Sequence, residues 1–125
     1  MNNFKSFEEL ECWEEARNLR LFIKNNIITK IPSSEKFVLI DQIKRSSRSV
    51  CNNISEGYGR YHFQENIQFC RIARGSLFET LDHAIIALDE GYILEEDLKE
   101  LRVIHNKTLL ILNGYIKYLM GQKDK

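Results

Sequence analysis

The sequence is poor in turn-forming residues, with one proline and six glycines among 125 residues. This scarcity excludes a collagen-like or low-complexity chain and argues against an all-β protein, which would need many tight turns. The longest uncharged stretch, residues 108–116, is far short of the roughly 20 apolar residues of a membrane-spanning helix. The N-terminus lacks a basic region followed by an apolar run, so we expect no secretory signal peptide and no membrane partner. A cytoplasmic globular protein is the resulting expectation.

The sequence also lacks the usual patterns of a catalytic or metal site. It has neither a glycine-rich phosphate loop nor the repeated Glu-x-x-His pairs of a di-metal bundle. Ser49 or Ser76 would need an adjacent base to act as a nucleophile, and only His83 is a candidate. Three widely spaced cysteines predict buried thiols in a reducing compartment, namely Cys12, Cys51 and Cys70. We therefore predict a protein that is not an enzyme, with no catalytic residues, no cofactor and no metal ligands.

Apolar residues recur at three- and four-residue spacing along most of the chain, which is the period of amphipathic helices. This spacing predicts helices over about residues 7–28, 34–56, 63–90 and 95–120. Gly57, Gly91 and Gly121 are expected to end the second, third and fourth helices. Because the connections are short, consecutive helices should be antiparallel. We predict an all-α protein, an antiparallel up-and-down four-helix bundle that occupies residues 1–125 as one domain.

The second predicted helix carries hydrogen-bonding side chains between its apolar side and its solvent side, and the third helix has a similar stripe. Buried polar groups need partners, so the two stripes predict a polar seam between these helices. In this seam Arg45 would oppose Glu79 or Glu56, and the simplest role is to fix helix register, with direct chemistry as the alternative. The stripes also include Ser46 and Thr80, and the predicted polar seam comprises Gln42, Arg45, Ser49, Asn53, Glu56, Ser76 and Glu79.

The fourth predicted helix has more apolar surface than one core requires. Beside its leucine stripe runs a second apolar stripe, and a helix that is apolar over most of its circumference is buried on more than one side. We interpret this stripe as a self-association surface. A wide core stripe in a monomer is the alternative. The predicted surface comprises Ile104, Ile111, Tyr115 and Tyr118, and Phe37, Phe78 and Ile86 are also expected to point outward.

Charge is balanced overall, with 18 cations and 18 anions, but it is uneven along the chain. Residues 44–74 contain six cations and two anions, whereas residues 79–100 contain eight anions and one lysine. Cations interleaved with aromatic residues can serve nucleic acid, although the sequence pI of 6.8 is low for a dedicated binder. Alternatively, Arg60 pairs with Glu56 or Glu65 and pins the turn. The predicted nucleic-acid rim comprises Lys44, Arg48, Tyr58, Arg60, Arg71 and Arg74.

The run NISEGYGR at residues 53–60, together with Gly75-Ser76-Leu77 and Glu79, resembles the 23S rRNA intervening-sequence protein family, also called four helix bundle proteins. Cys51 departs from the pattern, since many relatives carry proline there. The resemblance covers nearly the whole chain and extends through Trp13, Ala16, Pro32, Glu35, residues 42–46, Ser49, Val50, Gly91 and Tyr92.

The resemblance implies a bacterial four-helix protomer that assembles into a ring, typically a pentamer, without implying a settled biochemical function. A more distant similarity is to accessory proteins of diversity-generating retroelements, which form pentameric rings and bind a reverse transcriptase and nucleic acid. Two hypotheses follow. The first is a non-enzymatic homo-oligomeric scaffold or interaction protein. The alternative is a nucleic-acid-binding accessory protein, with RNA or a reverse transcriptase as partner, that uses the basic rim near Arg60.

Overall fold

The computed structural model describes residues 6–124, and this part of the chain is helical, without any strand. A turn of 3-10 helix, Phe7–Glu9, precedes α1, and a π-helical turn, Ile23–Ile27, with a 3-10 turn, Ile28–Lys30, extends it. The predicted all-α, antiparallel up-and-down four-helix bundle is confirmed. Its helices are α1 (Glu11–Phe22), α2 (Leu39–Gly59), α3 (Phe63–Asp89) and α4 (Glu95–Lys123). No helix in the described range is long and apolar enough to span a membrane.

Each helix packs against its neighbours in the sequence, and α1 also packs against α4, which closes the bundle. Side-chain pairs show the antiparallel register. Ser49 of α2 contacts Ser76 of α3, and the earlier Ser46 contacts the later Thr80. Between α1 and α4, Glu15 contacts Lys107, and Lys30 beyond α1 contacts the earlier Asp97. Short connections therefore give the alternating directions that the sequence predicts.

The core consists of aliphatic side chains from all four helices. Along α1 and the π-helical turn that follows it, apolar side chains recur at helical spacing and are all buried: Cys12, Ala16, Leu19, Ile23 and Ile27. Burying a leucine or isoleucine side chain contributes about 1.5–3 kcal/mol to folding, so these stripes supply most of the stability. The largest side chains with almost no exposed surface include Leu19, Ile43, Ile54, Ile67, Leu77, Leu101, Leu112 and Leu119.

Gly57 does not end α2 as predicted, because the helix continues to Gly59. Gly57 is buried where α2 meets α3: a Cβ atom there would lie 2.7 Å from Asn66 Oδ1 and 2.9 Å from Phe69 Cβ. The left-handed position that follows the helix is taken by Tyr61, with φ 53°. Gly57 is therefore required for the close approach of α2 to α3. The turn that ends α2 comes later, at Tyr61.

The first turn of the second predicted helix is separate from α2. Ser33–Glu35 form a 3-10 turn, and Val38, with φ −120° and ψ −91°, interrupts the helical path before Leu39. The Tyr92 hydroxyl donates to Glu35 Oε2 at 2.8 Å, which ties this turn to the α3–α4 connection. The second helix therefore begins at Leu39, later than the predicted residue 34.

The other two predicted glycine boundaries have different outcomes. Gly91 has φ +80° and follows the end of α3, as predicted. The predicted end of α4 at Gly121 is wrong, since α4 extends to Lys123. Glycine is compatible with helical backbone angles, and a helix ends there only when the chain must change direction.

His105 of α4 is a buried histidine within this apolar framework. Its ring packs edge-on against Phe78 with centroids 4.9 Å apart, and Nδ1 lies 3.2 Å from Asn106 Oδ1. Nε2 is buried without a hydrogen-bond partner among the described residues. Burial lowers the pKa of His105, and the nearby Arg102 acts in the same direction. The contact with Asn106 opposes this lowering, but the net effect makes the ring harder to protonate than a solvent-exposed histidine.

We expect Gly57→Ala to lower the free energy of unfolding by about 1–3 kcal/mol, because the added methyl group overpacks the α2–α3 contact. Gly75→Ala is the matched control. Gly75 is exposed within α3, and a Cβ added there would meet no atom within 4 Å, so alanine should stabilise the helix by about 0.5–1 kcal/mol. Urea denaturation followed by circular dichroism measures both. Equal effects of the two substitutions would contradict the packing role of Gly57.

We expect the stability of the protein to decrease as the pH falls below the ordinary histidine pKa of 6.5. The pKa of His105 is lower in the folded state, so the unfolded chain takes up the proton first and is favoured. The loss should begin near pH 6.5 and level off below the folded-state pKa. His105→Gln should reduce this dependence when urea midpoints are compared across pH. An unchanged pH profile in the variant would assign the effect to other groups.

Candidate functional site

Uncharged hydrogen-bonding side chains join α2 to α3. Thr80 Oγ1 lies 2.9 Å from Ser46 Oγ and 2.9 Å from the carbonyl oxygen of Ser76. One helical turn away, the hydroxyls of Ser49 and Ser76 lie 2.8 Å apart, and Asn53 Nδ2 donates to the carbonyl oxygen of Ser49 at 2.8 Å. We call these five residues the Ser/Thr seam. Its short side chains satisfy one another while the helices approach closely.

Gln42 and Arg45, both predicted in the polar seam, lie outside it. Gln42 is exposed. The Arg45 side chain is 81% exposed, and its Nε lies 3.2 Å from Asp41 Oδ2. The expectation that Arg45 is opposed to Glu79 or Glu56 in the polar seam is therefore wrong. Burying a charge costs several kcal/mol even when it is paired, whereas pairing along one helix leaves both groups hydrated.

The two acidic residues of the predicted polar seam also pair within their own helices. Glu56 Oε2 accepts a hydrogen bond from Arg60 Nε at 3.0 Å, and Glu79 Oε2 lies 3.3 Å from His83 Nε2. The glutamate side chains are 52% and 59% exposed. The charged network that the sequence predicts inside the protomer is thus absent from the described residues, and only its uncharged members meet.

His83 is buried beside the Ser/Thr seam but is not joined to it. Its Nδ1 atom has no hydrogen-bond partner within residues 6–124. Its polar contact is with Glu79, and no described hydrogen bond connects it to Ser49 or Ser76. The arrangement of nucleophile, base and orienting group that serine chemistry requires is therefore not assembled in this part of the chain.

The three cysteines are free and buried. Burial raises the pKa of each thiol, to about 12 for Cys70, and the pKa values of Cys12 and Cys51 also rise for this reason. A thiol held protonated is a poor nucleophile and a poor metal ligand. No group of three or more His, Cys, Asp or Glu in the described range is placed to hold a metal ion.

The predicted nucleic-acid rim is dispersed over the bundle. Tyr58 is buried, and Arg60 pairs with Glu56 and lies 5.0 Å from the ring centre of Phe69. The alternative in which Arg60 pins the α2–α3 turn through Glu56 agrees with this geometry. Arg74 on α3 donates to Asn113 Oδ1 of α4 at 2.8 Å.

Arg71 is exposed, with no hydrogen bond or ion pair among the described residues. Lys44 and Arg48 lie elsewhere, in a groove between α1 and α2 of about 360 Å³. Two further cations line this groove, Arg20 and Lys24, and sequence analysis missed both. A usable signal existed, since residues 16–34 contain four cations and no anion.

The predicted oligomer surface is only partly exposed. Ile104, Ile111 and Tyr115 are partly buried and pack against the core. Asn66 Nδ2 donates to the Tyr115 hydroxyl at 3.1 Å, and Tyr118 stacks on Tyr115 with ring centres 6.3 Å apart. These residues therefore contribute to the protomer itself.

Other apolar side chains are more exposed. On α4, Leu110 is 74% exposed and Val103 is 66% exposed. They stand seven residues apart and so share one face of the helix. Phe37, Phe78 and Ile86, which were expected to point outward, are exposed in the structure.

The structure is a small all-α four-helix bundle in which the Ser/Thr seam joins α2 to α3. Residues 8–114 match the 23S rRNA-intervening sequence protein family, and the chain belongs to that family. The bundle is similar to the crystal structure of a protein of unknown function from the S23 ribosomal protein family of Bacteroides thetaiotaomicron. The TM-score is 0.76 at 22% identity, over 85% of this chain and 95% of the other. No curated protein matches the sequence.

The Ser/Thr seam should be more sensitive to substitution than the charges around it. Thr80→Val preserves the shape but removes the buried hydroxyl, so we expect a loss of about 1–2 kcal/mol in the free energy of unfolding. Glu79→Ala is the control. Because Glu79 is 59% exposed, its effect should stay within about 0.5 kcal/mol. Urea titrations at one fixed protein concentration measure both. A larger loss of unfolding free energy for Glu79→Ala than for Thr80→Val would support the hypothesis of a charged network instead.

Proposed function

We propose that this protein is a non-enzymatic scaffold or interaction module that acts as a homo-oligomer. The observation that carries the proposal is the set of large apolar side chains left exposed on the protomer, in particular Leu110, Val103 and Phe37. Contiguous exposed apolar surface usually marks an interaction site in a soluble protein. Burying it against a second copy removes it from water without a specialised partner.

A ring requires two different complementary patches on each protomer, because the contact between neighbours is head-to-tail. Val103 and Leu110 are exposed on one face of α4, with the exposed Asn106 and Lys107 between them. On α3, Ile72 and Ile86 are exposed on one side of the helix, with the exposed Glu79 between them. Exposed apolar side chains on two separate helices support a ring, and the proposed number of five copies comes from the family resemblance.

The non-enzymatic part of the proposal is supported by the chemistry of the candidate groups. The three thiols are held protonated by burial, and His83 is not hydrogen-bonded to the seam serines within the described chain. Free buried cysteines are also typical of a reducing compartment, which supports a cytoplasmic location.

The alternative function, a nucleic-acid-binding accessory protein that uses a rim near Arg60, has less support at that position. Arg60 is engaged by Glu56 and Phe69, and Tyr58 is buried. An RNA or protein partner at this turn would have to displace existing contacts. Two other members of the predicted rim, Lys44 and Arg48, line the groove between α1 and α2 instead.

Light scattering coupled to size-exclusion chromatography should give a mass several times the 14.8 kDa of one chain. We expect Leu110→Glu to shift the protein toward the monomer, because a charge on the apolar face opposes its burial. Leu110 is largely exposed in the protomer, so the variant should keep its fold. Gln64→Glu, which adds the same charge at an exposed polar position of α3, should leave the mass unchanged.

A wild-type protein that stays monomeric at high micromolar concentration would refute the homo-oligomer. A stable dimer would refute only the ring of five. A mass unaffected by Leu110→Glu would place the contact on another face.

A further inference from the structure

The groove between α1 and α2 gathers four cations and no acidic residue. Arg20 and Lys24 come from the α1 side, and Lys44 and Arg48 come from α2. Each pair stands four residues apart, so its members occupy successive turns on one helix face. Like charges at this spacing destabilise a helix. The fold therefore carries two repulsive pairs that line one groove.

These four cations have no ion-pair partner among the described residues. Four other cations of the bundle are ion-paired: Arg45 with Asp41, Arg60 with Glu56, Lys30 with Asp97 and Lys107 with Glu15. Arg71 is also unpaired within residues 6–124, so the distinguishing feature of the groove is that four unpaired cations line it together. The groove concentrates positive charge that the protomer leaves uncompensated.

The backbone beside the groove is unusual as well. Lys24 lies in the π-helical turn Ile23–Ile27, and Ile28, the next residue, is part of the groove wall. Single π-helical turns are rare and frequent at functional sites. Burial raises the pKa of the Cys51 thiol on α2, and the charge of Arg20 partly opposes this rise. Arg20 therefore lies close enough to α2 for its charge to act across the interface.

We propose that the α1–α2 groove binds the phosphate backbone of a nucleic-acid strand. Arginine and lysine, supported by hydroxyl and amide groups, make most phosphate contacts in nucleic-acid complexes, and Ser47 and Asn52 line the groove beside the cations. Its other lining residues are the aliphatic Leu21 and Ile28, with no aromatic ring for base stacking. Recognition is therefore electrostatic and independent of base sequence.

Several features favour a strand over a single phosphate ion. On each helix the two cations lie on successive turns, about 6 Å apart along the helix axis. A polymer with a charge on every unit can contact all four cations at once. This inference is independent of self-association, since the groove lies within one protomer.

The experiment is a fluorescence anisotropy titration of a short, mixed-sequence, fluorescein-labelled RNA, and of DNA of the same sequence. We expect binding of both at low salt, with log K falling by about 0.7 per contacted phosphate for each unit of log salt concentration. Arg20→Gln, Lys24→Gln, Lys44→Gln and Arg48→Gln should each weaken binding several-fold and reduce the slope by about 0.7. The double variant Lys44→Gln/Arg48→Gln should lose most of the affinity.

Arg71→Gln and Lys117→Gln are the matched controls, because each removes one exposed cation outside the groove. Circular dichroism melts check that the groove variants fold, and light scattering of the same samples shows whether they keep the wild-type mass. Retained mass with lost RNA affinity supports the groove and leaves the oligomer proposal unaffected.

The proposal is overturned if wild type shows no binding at low salt. It is equally overturned if Arg71→Gln weakens binding as much as the groove variants, because attraction would then be spread over the surface. Displacement of the labelled RNA by polyglutamate at a lower charge concentration than by unlabelled RNA would also overturn it, in favour of an acidic protein segment as the ligand.

Discussion

The close contact of α2 with α3 is the constraint on which the rest of the bundle depends. Gly57 has no space for a side chain, and the Ser/Thr seam joins the helices through hydroxyl contacts of 2.8–2.9 Å. Serine and threonine permit this close approach of the helices because their hydroxyl groups are near the backbone and can hydrogen-bond directly across the interface. Buried networks of this kind are stable only when every member is satisfied. The seam thereby fixes the register of both helices.

The same constraint determines where charge can reside. Charged side chains beside the seam are too long and too costly to desolvate between closely packed helices, so they turn outward and pair along their own helix. Arg45, Glu56 and Glu79 all follow this pattern. The α1–α2 interface has no comparable seam, and its outer edge collects Arg20, Lys24, Lys44 and Arg48 without partners. The two faces of α2 therefore have different chemistry.

Exposed apolar surface gives the bundle its second distinguishing property. Leu110 and Val103 face outward on α4, while the neighbouring stripe of Ile104, Ile111 and Tyr115 packs against the core. The two stripes are adjacent on the helix and similar in composition, but only one is available to another molecule. The exposed Val103 and Leu110 belong to α4, whereas the basic groove lies between α1 and α2, so the two features are on different helices.

The sequence by itself determined the number of helices, their order and most core positions, because helical periodicity is a local property that repeats over many residues. It also identified Ser46, Ser49, Asn53, Ser76 and Thr80 as interface candidates, and Gly91 as a helix terminator. Only the tertiary structure decided which polar residues meet. Arg45 and Ser49 share a helix face, but only the serine is close enough to α3 for contact.

The roles of Gly57 and of the α1–α2 groove likewise depended on distances between helices. A glycine near a helix end looks the same in the sequence whether it terminates the helix or makes room for a neighbouring helix. For Gly57 the close position of Asn66 on α3 shows that it makes room for the neighbour. Arg20 and Arg48 are far apart in the sequence, so no local pattern joins them. Packing of α1 against α2 brings the charges of Arg20 and Arg48 to one groove. The burial of the apolar stripes sets the position of each helix, and this position determines which polar side chains lie near one another.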